Sequence, residues 1–172
     1  VIDNYGCETT KRFIDGLPNA RYIRATNVQG TASPRDLIFR HARGDVVLCC
    51  YAHVLFMPGV IARLRDYYRD NPETPNLLQG PLLDDDLSTI WTHFLPIWYA
   101  QRWGTWGQDP RGSDPEGEPF EIDMHSLGVF SCRKAAWPGF NQHFRGFGGE
   151  DGYIHEKFRQ LGATTLELLF LR

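Results

Sequence analysis

The sequence predicts an α/β fold built on a mainly parallel central sheet. Strand-like and helix-like segments alternate along the chain, the pattern of βα units. Asp45–Cys50 is a continuous apolar run of strand length, as expected for a strand covered on both faces. Ser33-Pro34 and Gly44 punctuate the two ends of a helix, with Ser33 as N-cap, Pro34 at the first helical position and Asp36 where a capping-box acid falls.

Taken in order, Val1–Asp3 reads as a strand and Glu8–Asp15 as a helix. Arg21–Ala25 is a strand, Pro34–Arg43 a helix and Asp45–Cys50 the buried strand. Met57-Pro58-Gly59 opens a helix that runs to about Asp70, and Asn76–Gln79 is a further strand. Leu87–Trp103 is rich in aromatic residues and is expected to be helical, ended or kinked at Pro96. Thr105–Pro119 has Gly, Pro, Asp and Glu without periodicity and is expected to be a mobile loop. Leu127–Cys132 is another strand. Ile154, Phe158 and Leu161 recur at i, i+4, i+7 on a helix that Gly162 stops. Leu166–Leu171 reads as a last strand. A chain that opens and closes within strands is expected to be a piece of a longer protein.

The 172 residues fit one domain spanning 1–172, with 42% hydrophobic and 23% charged residues. The net charge of −3 and the scattered Lys and Arg offer no footprint for nucleic acid. No apolar run reaches the length of a membrane span. Cys7, Cys49, Cys50 and Cys132 lie mostly in strand-like segments and read as buried thiols of a reducing compartment. That implies a cytoplasmic chain, free or peripheral to a membrane. Cys49 and Cys50 point to opposite faces of a strand, and no second ligand pair completes a tetrahedral set, which excludes zinc. No Gly-x-Ser-x-Gly elbow, P-loop or complete Gly-x-Gly-x-x-Gly fingerprint supports a hydrolase or another nucleotide fold.

The richest segment for chemistry is Gly139-Phe140-Asn141-Gln142-His143-Phe144-Arg145-Gly146-Phe147-Gly148-Gly149-Glu150-Asp151. It displays two adjacent carboxylates after a Gly-Gly turn and before a helix. Acids there can cap orphan N–H groups. Glycines also let a ligand come close to the backbone, and a carboxylate so placed can take a proton from a hydroxyl. This run resembles the acceptor-side motif of GT-A glycosyltransferases. The likeness is to family 2 enzymes, β-galactosyltransferases and polypeptide N-acetylgalactosaminyltransferases. The resemblance implies a GT-A, Rossmann-like fold, here without its first strand. It also implies transfer of a hexosyl or N-acetylhexosaminyl group from a nucleotide-diphosphate sugar, a UDP-sugar by preference, to a saccharide or other hydroxyl acceptor. Asp151 matches the catalytic base of inverting members, Glu150 orients the acceptor, and Gly148 and Gly149 shape its site.

Ligands of open α/β sheets sit at the carboxyl ends of strands, which singles out Asp3-Asn4 and Tyr51-Ala52-His53. Asp3 resembles the strand-end Asp that contacts the nucleotide, with a turn before Gly6 as the competing reading. Arg35 matches an arginine beside the nucleotide and equally reads as a solvated helix residue. His53 falls on the last ligand of an Asp-x-His motif that holds Mn2+ or Mg2+. Tyr51 stands where the first Asp belongs, and a neutral phenol does not supply a carboxylate's charge to a hard cation. Weak metal binding, metal independence and a catalytically idle sugar- or nucleotide-binding relative all stay open on that substitution. Asp84-Asp85-Asp86 reads as a solvated turn capping a following helix rather than a displaced metal site. Trp103 and Trp106, flanking Gly104, are the aromatic candidates for acceptor stacking, ahead of Trp91, Trp98 and His125.

Overall fold

The computed structural model describes residues 1–172, apart from the side chain of Arg102. Eleven strands and four α-helices follow in chain order. Strand β1 (Ile2–Asp3), helix α1 (Glu8–Asp15) and strand β2 (Ile23–Arg24) come first, and β1 and β2 pair in parallel. Helix α2 (Ala32–His41), strand β3 (Val46–Cys50) and helix α3 (Val60–Asp70) continue the alternation. Strands β4 (Leu77–Gln79), β5 (Leu82–Leu83), β6 (Ile90–Trp91), β7 (His93–Tyr99), β8 (Arg102–Gly107) and β9 (Phe120–Glu121) follow. The chain closes through β10 (Val129–Arg133), helix α4 (Glu150–Gln160) and β11 (Thr165–Glu167).

The central sheet has the order β3-β10-β4-β11-β9. It is mixed, not mainly parallel: β4 and β11 pair in parallel, while β3–β10, β10–β4 and β11–β9 are antiparallel. Alternation along the chain records which elements follow one another. It does not record that β10, returning after a long excursion, inserts antiparallel between β3 and β4.

Each face of the sheet is covered because its residues alternate. Val47 and Cys49 of β3, with Phe130 and Cys132 of β10 and Leu77 of β4, face α2 and α4, meeting Phe39, Ile154 and Phe158. Trp137 stacks on Phe39 there, with ring centroids 4.0 Å apart. Val46 and Leu48 turn the other way, with Leu78 and Val129, toward Val60, Leu64 and Tyr68 of α3. Burying apolar surface on both faces is what holds such a layered domain together.

Several expectations need correction. Leu87–Trp103 is not helical: it forms β6, β7 and the start of β8, with β7 and β8 joined as a hairpin. Its aromatic and β-branched residues satisfy the pleat of a strand. Pro96 sits in a register shift between Leu95 and Trp98, where its missing N–H costs no ladder bond. Ala100 and Gln101, with φ of 46° and 65°, make the tight turn. Thr105–Pro119 is not all loop, since its first residues belong to β8 and Pro110–Ser113 forms a 3-10 turn. Helix α2 starts at Ala32 with Thr31 as its cap, so Ser33 lies inside it. Asp36 does not close a capping box: its carboxylate accepts from Trp137 Nε1 at 2.9 Å and from the Phe140 amide. Leu161 is 67% exposed, off the apolar stripe that Ile154 and Phe158 form. Leu168–Leu171 turns away after β11 instead of extending it. No described helix is long and apolar enough to cross a membrane.

Candidate active site

Strand β3 delivers the chain to Tyr51, whose amide donates to the Gly128 carbonyl at 2.9 Å. The Tyr51 hydroxyl accepts a hydrogen bond from Arg35 Nη2 at 2.8 Å, and the guanidinium lies 5.3 Å from the phenol ring centroid. Arg35 comes from the first turns of α2 and is only 4% exposed, which rules out its reading as a solvated helix residue. Its Nη1 is 3.5 Å from Glu150 Oε1, an ion pair, yet it has no hydrogen-bond partner among the described residues. Burial pushes the Tyr51 hydroxyl up, with Arg35 acting against that and the charges of Asp151 and Glu150 adding to it. The phenol therefore stays neutral.

Glu150 opens α4 and is 2% exposed. One of its oxygens accepts from the Thr31 hydroxyl, and the other accepts from the Gly148 amide at 2.7 Å. The carboxylate thus ties the acidic loop to the cap of α2. Asp151 follows, half-buried, with Oδ1 accepting from the Leu127 amide at 2.9 Å. Burial, then the Glu150 charge, raise its carboxyl to about 6, against the opposing pull of Arg35 and the Leu127 amide. Apart from its own amide, no other described residue donates a hydrogen bond to the carboxylate. One turn on, His155 Nδ1 lies 2.6 Å from the Asp151 carbonyl and its Nε2 lies 2.5 Å from Gln79 Oε1. Burial depresses His155 to about 4, so the ring is a neutral buttress under the acid.

Gly148 and Gly149 adopt φ of 99° and 85°. A Cβ at either would meet nothing within 4 Å, so the turn faces open space. The Trp103 ring closes one side, since a Cβ at Gly152 would lie 3.2 Å from Trp103 Cδ1. Trp106 is turned elsewhere, edge-on to Phe94 at 4.7 Å and to the fully buried His125 at 5.7 Å. Trp98, 72% exposed, meets Trp103 at 5.7 Å near the hairpin tip.

Asp3 is occupied by its own turn. Its oxygens accept from the amides of Tyr5, Gly6 and Cys7 and from the Tyr22 hydroxyl. These donors hold its carboxyl down at about 2, the Gly6 amide most of all. The neighbouring Asn4 Nδ2 donates to Gly30 O at 3.2 Å, linking this turn to the loop that carries Thr31. His53 is exposed and its ring stacks on Tyr51, centroids 5.3 Å apart. In the Asp84–Asp86 turn, Asp86 Oδ1 accepts from Ser88 and Asp84 Oδ1 from Trp91 Nε1, and strand β6 follows rather than a helix.

The structure therefore brings Arg35, Glu150 and Asp151 together, with Gly148, Gly149 and Trp103 at the margin of the cluster. Sequence reasoning missed Thr31, the Leu127 amide, His155 and the Tyr51–Arg35 bond. Tyr51 was visible only as a departure from the expected acid, and a backbone amide leaves no mark in the residue pattern.

The α/β domain thus carries a charged cluster of Arg35, Glu150 and Asp151 beside the end of β3. Residues 1–132 match the model described as Glycosyl transferase family 2, and the chain belongs to that family. Membership brings the GT-A fold, glycosyltransferase activity in general, and a nucleotide-sugar donor with an acceptor. The match stops before Gly139, so the role of Glu150 and Asp151 rests on geometry. No curated protein matches the chain.

Members of this family often use a divalent cation. Among the described residues no group of three or more His, Cys, Asp or Glu side chains is placed to hold one. At the strand end a neutral phenol replaces a carboxylate, and a permanently charged guanidinium donates to it. Hard cations take anionic and carbonyl oxygens. This donor set does not fit one.

Proposed function

We propose that this chain transfers a sugar from a UDP-sugar to an acceptor hydroxyl with inversion, using Asp151 as base. The observation that carries the reading is the state of Asp151. One oxygen is pinned by the Leu127 amide, no other described residue donates to the carboxylate, and the carboxyl is raised to about 6. A base poised near the working pH, on an open glycine turn, suits proton removal from an alcohol. In the reaction the acceptor O–H proton passes to Asp151 and the acceptor oxygen bonds to the anomeric carbon. The bond from that carbon to the diphosphate breaks, and UDP leaves with its electron pair.

Glu150 acts in this reading as a positioning residue, since its oxygens bind Thr31 and Gly148. Trp103 offers the acceptor a ring to stack on, with Gly148 and Gly149 giving room, while Trp106 supports the hairpin behind it. The turn shaped by Asp3 receives the nucleotide, Arg35 faces its phosphates, and His53 lies near them. Replacing Asp151 by Asn tests the base. Transfer is expected to fall about 10²- to 10⁴-fold with the fold kept, and unchanged transfer by folded protein would sink the assignment. Tyr51 favours a second reading, an idle relative that binds the sugar nucleotide. UDP-sugar affinity without transfer or donor hydrolysis would select it.

A further inference from the structure

The position that a metal-binding carboxylate takes at the end of β3 in the motif this chain resembles is held by Tyr51, and Tyr51 is bound to Arg35. Charge decides which ligand this spot can take. An Asp at 51 would pair with the guanidinium and, together with Glu150, leave the spot negative enough to draw a cation. The neutral phenol accepts the Nη2 hydrogen bond without cancelling any of that charge. Arg35 Nη1 is buried and lacks a hydrogen bond among the described residues. Glu150 does not complete it, because its oxygens already serve Thr31 and Gly148 and its approach to Nη1 is 3.5 Å. A buried guanidinium N–H without an acceptor is costly, so it marks a place for an anionic oxygen. Guanidinium forks match phosphate oxygens well.

We propose that Arg35, aimed by Tyr51, replaces the divalent cation in this chain: it hydrogen-bonds the donor's diphosphate, and donor binding needs no metal. The inference rests on the reading of the chain as a nucleotide-sugar transferase. As the anomeric C–O bond breaks, the electron pair departs on the β-phosphate oxygen, and the Arg35 charge stabilises it there. The acceptor proton goes to Asp151 as before. Tyr51 is the positioning residue, since it touches Arg35 and not the substrate.

Calorimetric titration with UDP tests this, in EDTA and in manganese. Wild-type affinity is expected to be the same in both. Arg35→Met is expected to weaken UDP by about tenfold or more, as loss of a charged hydrogen bond does. Because that variant leaves Glu150 buried without its ion pair, Arg35→Lys serves beside it, keeping the charge and losing the fork. Tyr51→Asp is expected to make UDP binding depend on manganese. Wild-type binding that requires manganese, or Arg35 variants that bind UDP undiminished, would overturn the inference while leaving the transferase reading intact. UDP binding in no arm, by folded protein, would remove the UDP-sugar reading and this inference together.

Discussion

Asp151 is an acid whose surroundings oppose its charge. Burial and the neighbouring Glu150 raise its carboxyl to about 6, against an ordinary value near 3.8. As the base it must be ionised, so transfer is expected to rise with pH through about 6 and level off above it. A pH profile of kcat/KM reads that limb directly, and a profile with no limb between 5 and 7 contradicts the assignment. The sign for stability is the reverse. The folded chain holds this proton where the unfolded chain has released it, so between the two values the group's contribution falls as pH rises. Asp3 shows the opposite arrangement, with its carboxyl held down at about 2 by amides and a hydroxyl. Both acids were visible in the sequence as candidates. The difference between them lies in backbone amides that no side-chain pattern announces.

The loop before α2 and the acidic loop before α4 meet where neither can yield. A Cβ at Gly30 would lie 2.4 Å from Gly146 O, and Gly30 has φ of 76°. Gly59 shares a positive φ of 87°, but a Cβ there would meet nothing within 4 Å. Gly59→Ala is expected to cost only the left-handed backbone, about 1–2 kcal/mol. Gly30→Ala should cost more, and urea unfolding of the two variants makes the comparison. The β7–β8 hairpin sits over the start of α4, tied by the Phe94 amide to Met124 O at 2.7 Å. Trp103 reaches Gly152 from it. Trp103→Ala is expected to raise KM for a saccharide acceptor by about two- to tenfold, the worth of an aromatic contact, with a smaller effect on kcat. A fall in kcat alone would instead place Trp103 in the support of Asp151. In sequence the hairpin reads as a helix because its aromatic residues also fit an apolar helix, and cross-strand pairing is invisible locally.

Across the whole molecule, the buried titratable groups set how stability responds to pH. Glu167 is fully buried in β11 with neither carboxyl oxygen hydrogen-bonded among the described residues, and burial pushes it far above its usual range. It is carried protonated, so its contribution to stability falls as pH rises above the unfolded value of about 4.3. Glu167→Gln is therefore expected to raise the unfolding midpoint at pH 8 and to leave it near wild type at pH 4. An equal shift at both values would show that titration is not the cause. His125 and His155, depressed to about 3 and about 4 by burial, act in the other direction. The unfolded chain takes up their protons first, and stability is lost as pH falls below about 6.5.

By itself the sequence determined the α/β class, the helices of residues 8–15 and 60–70, the apolar β3 strand and the Gly-Gly-Glu-Asp turn. Those features are written in short-range chemistry: the spacing of apolar residues, caps and glycines. Only the tertiary structure decided that β10 enters the sheet antiparallel, that Leu87–Trp103 is sheet, and that Asp3 is consumed by its own turn. It alone joined Arg35 to Tyr51 and Glu150 and set Leu127 under Asp151. Strand partners and buried charge pairs come from residues far apart in the chain. Their energy depends on burial and distance, and neither exists until the chain has folded.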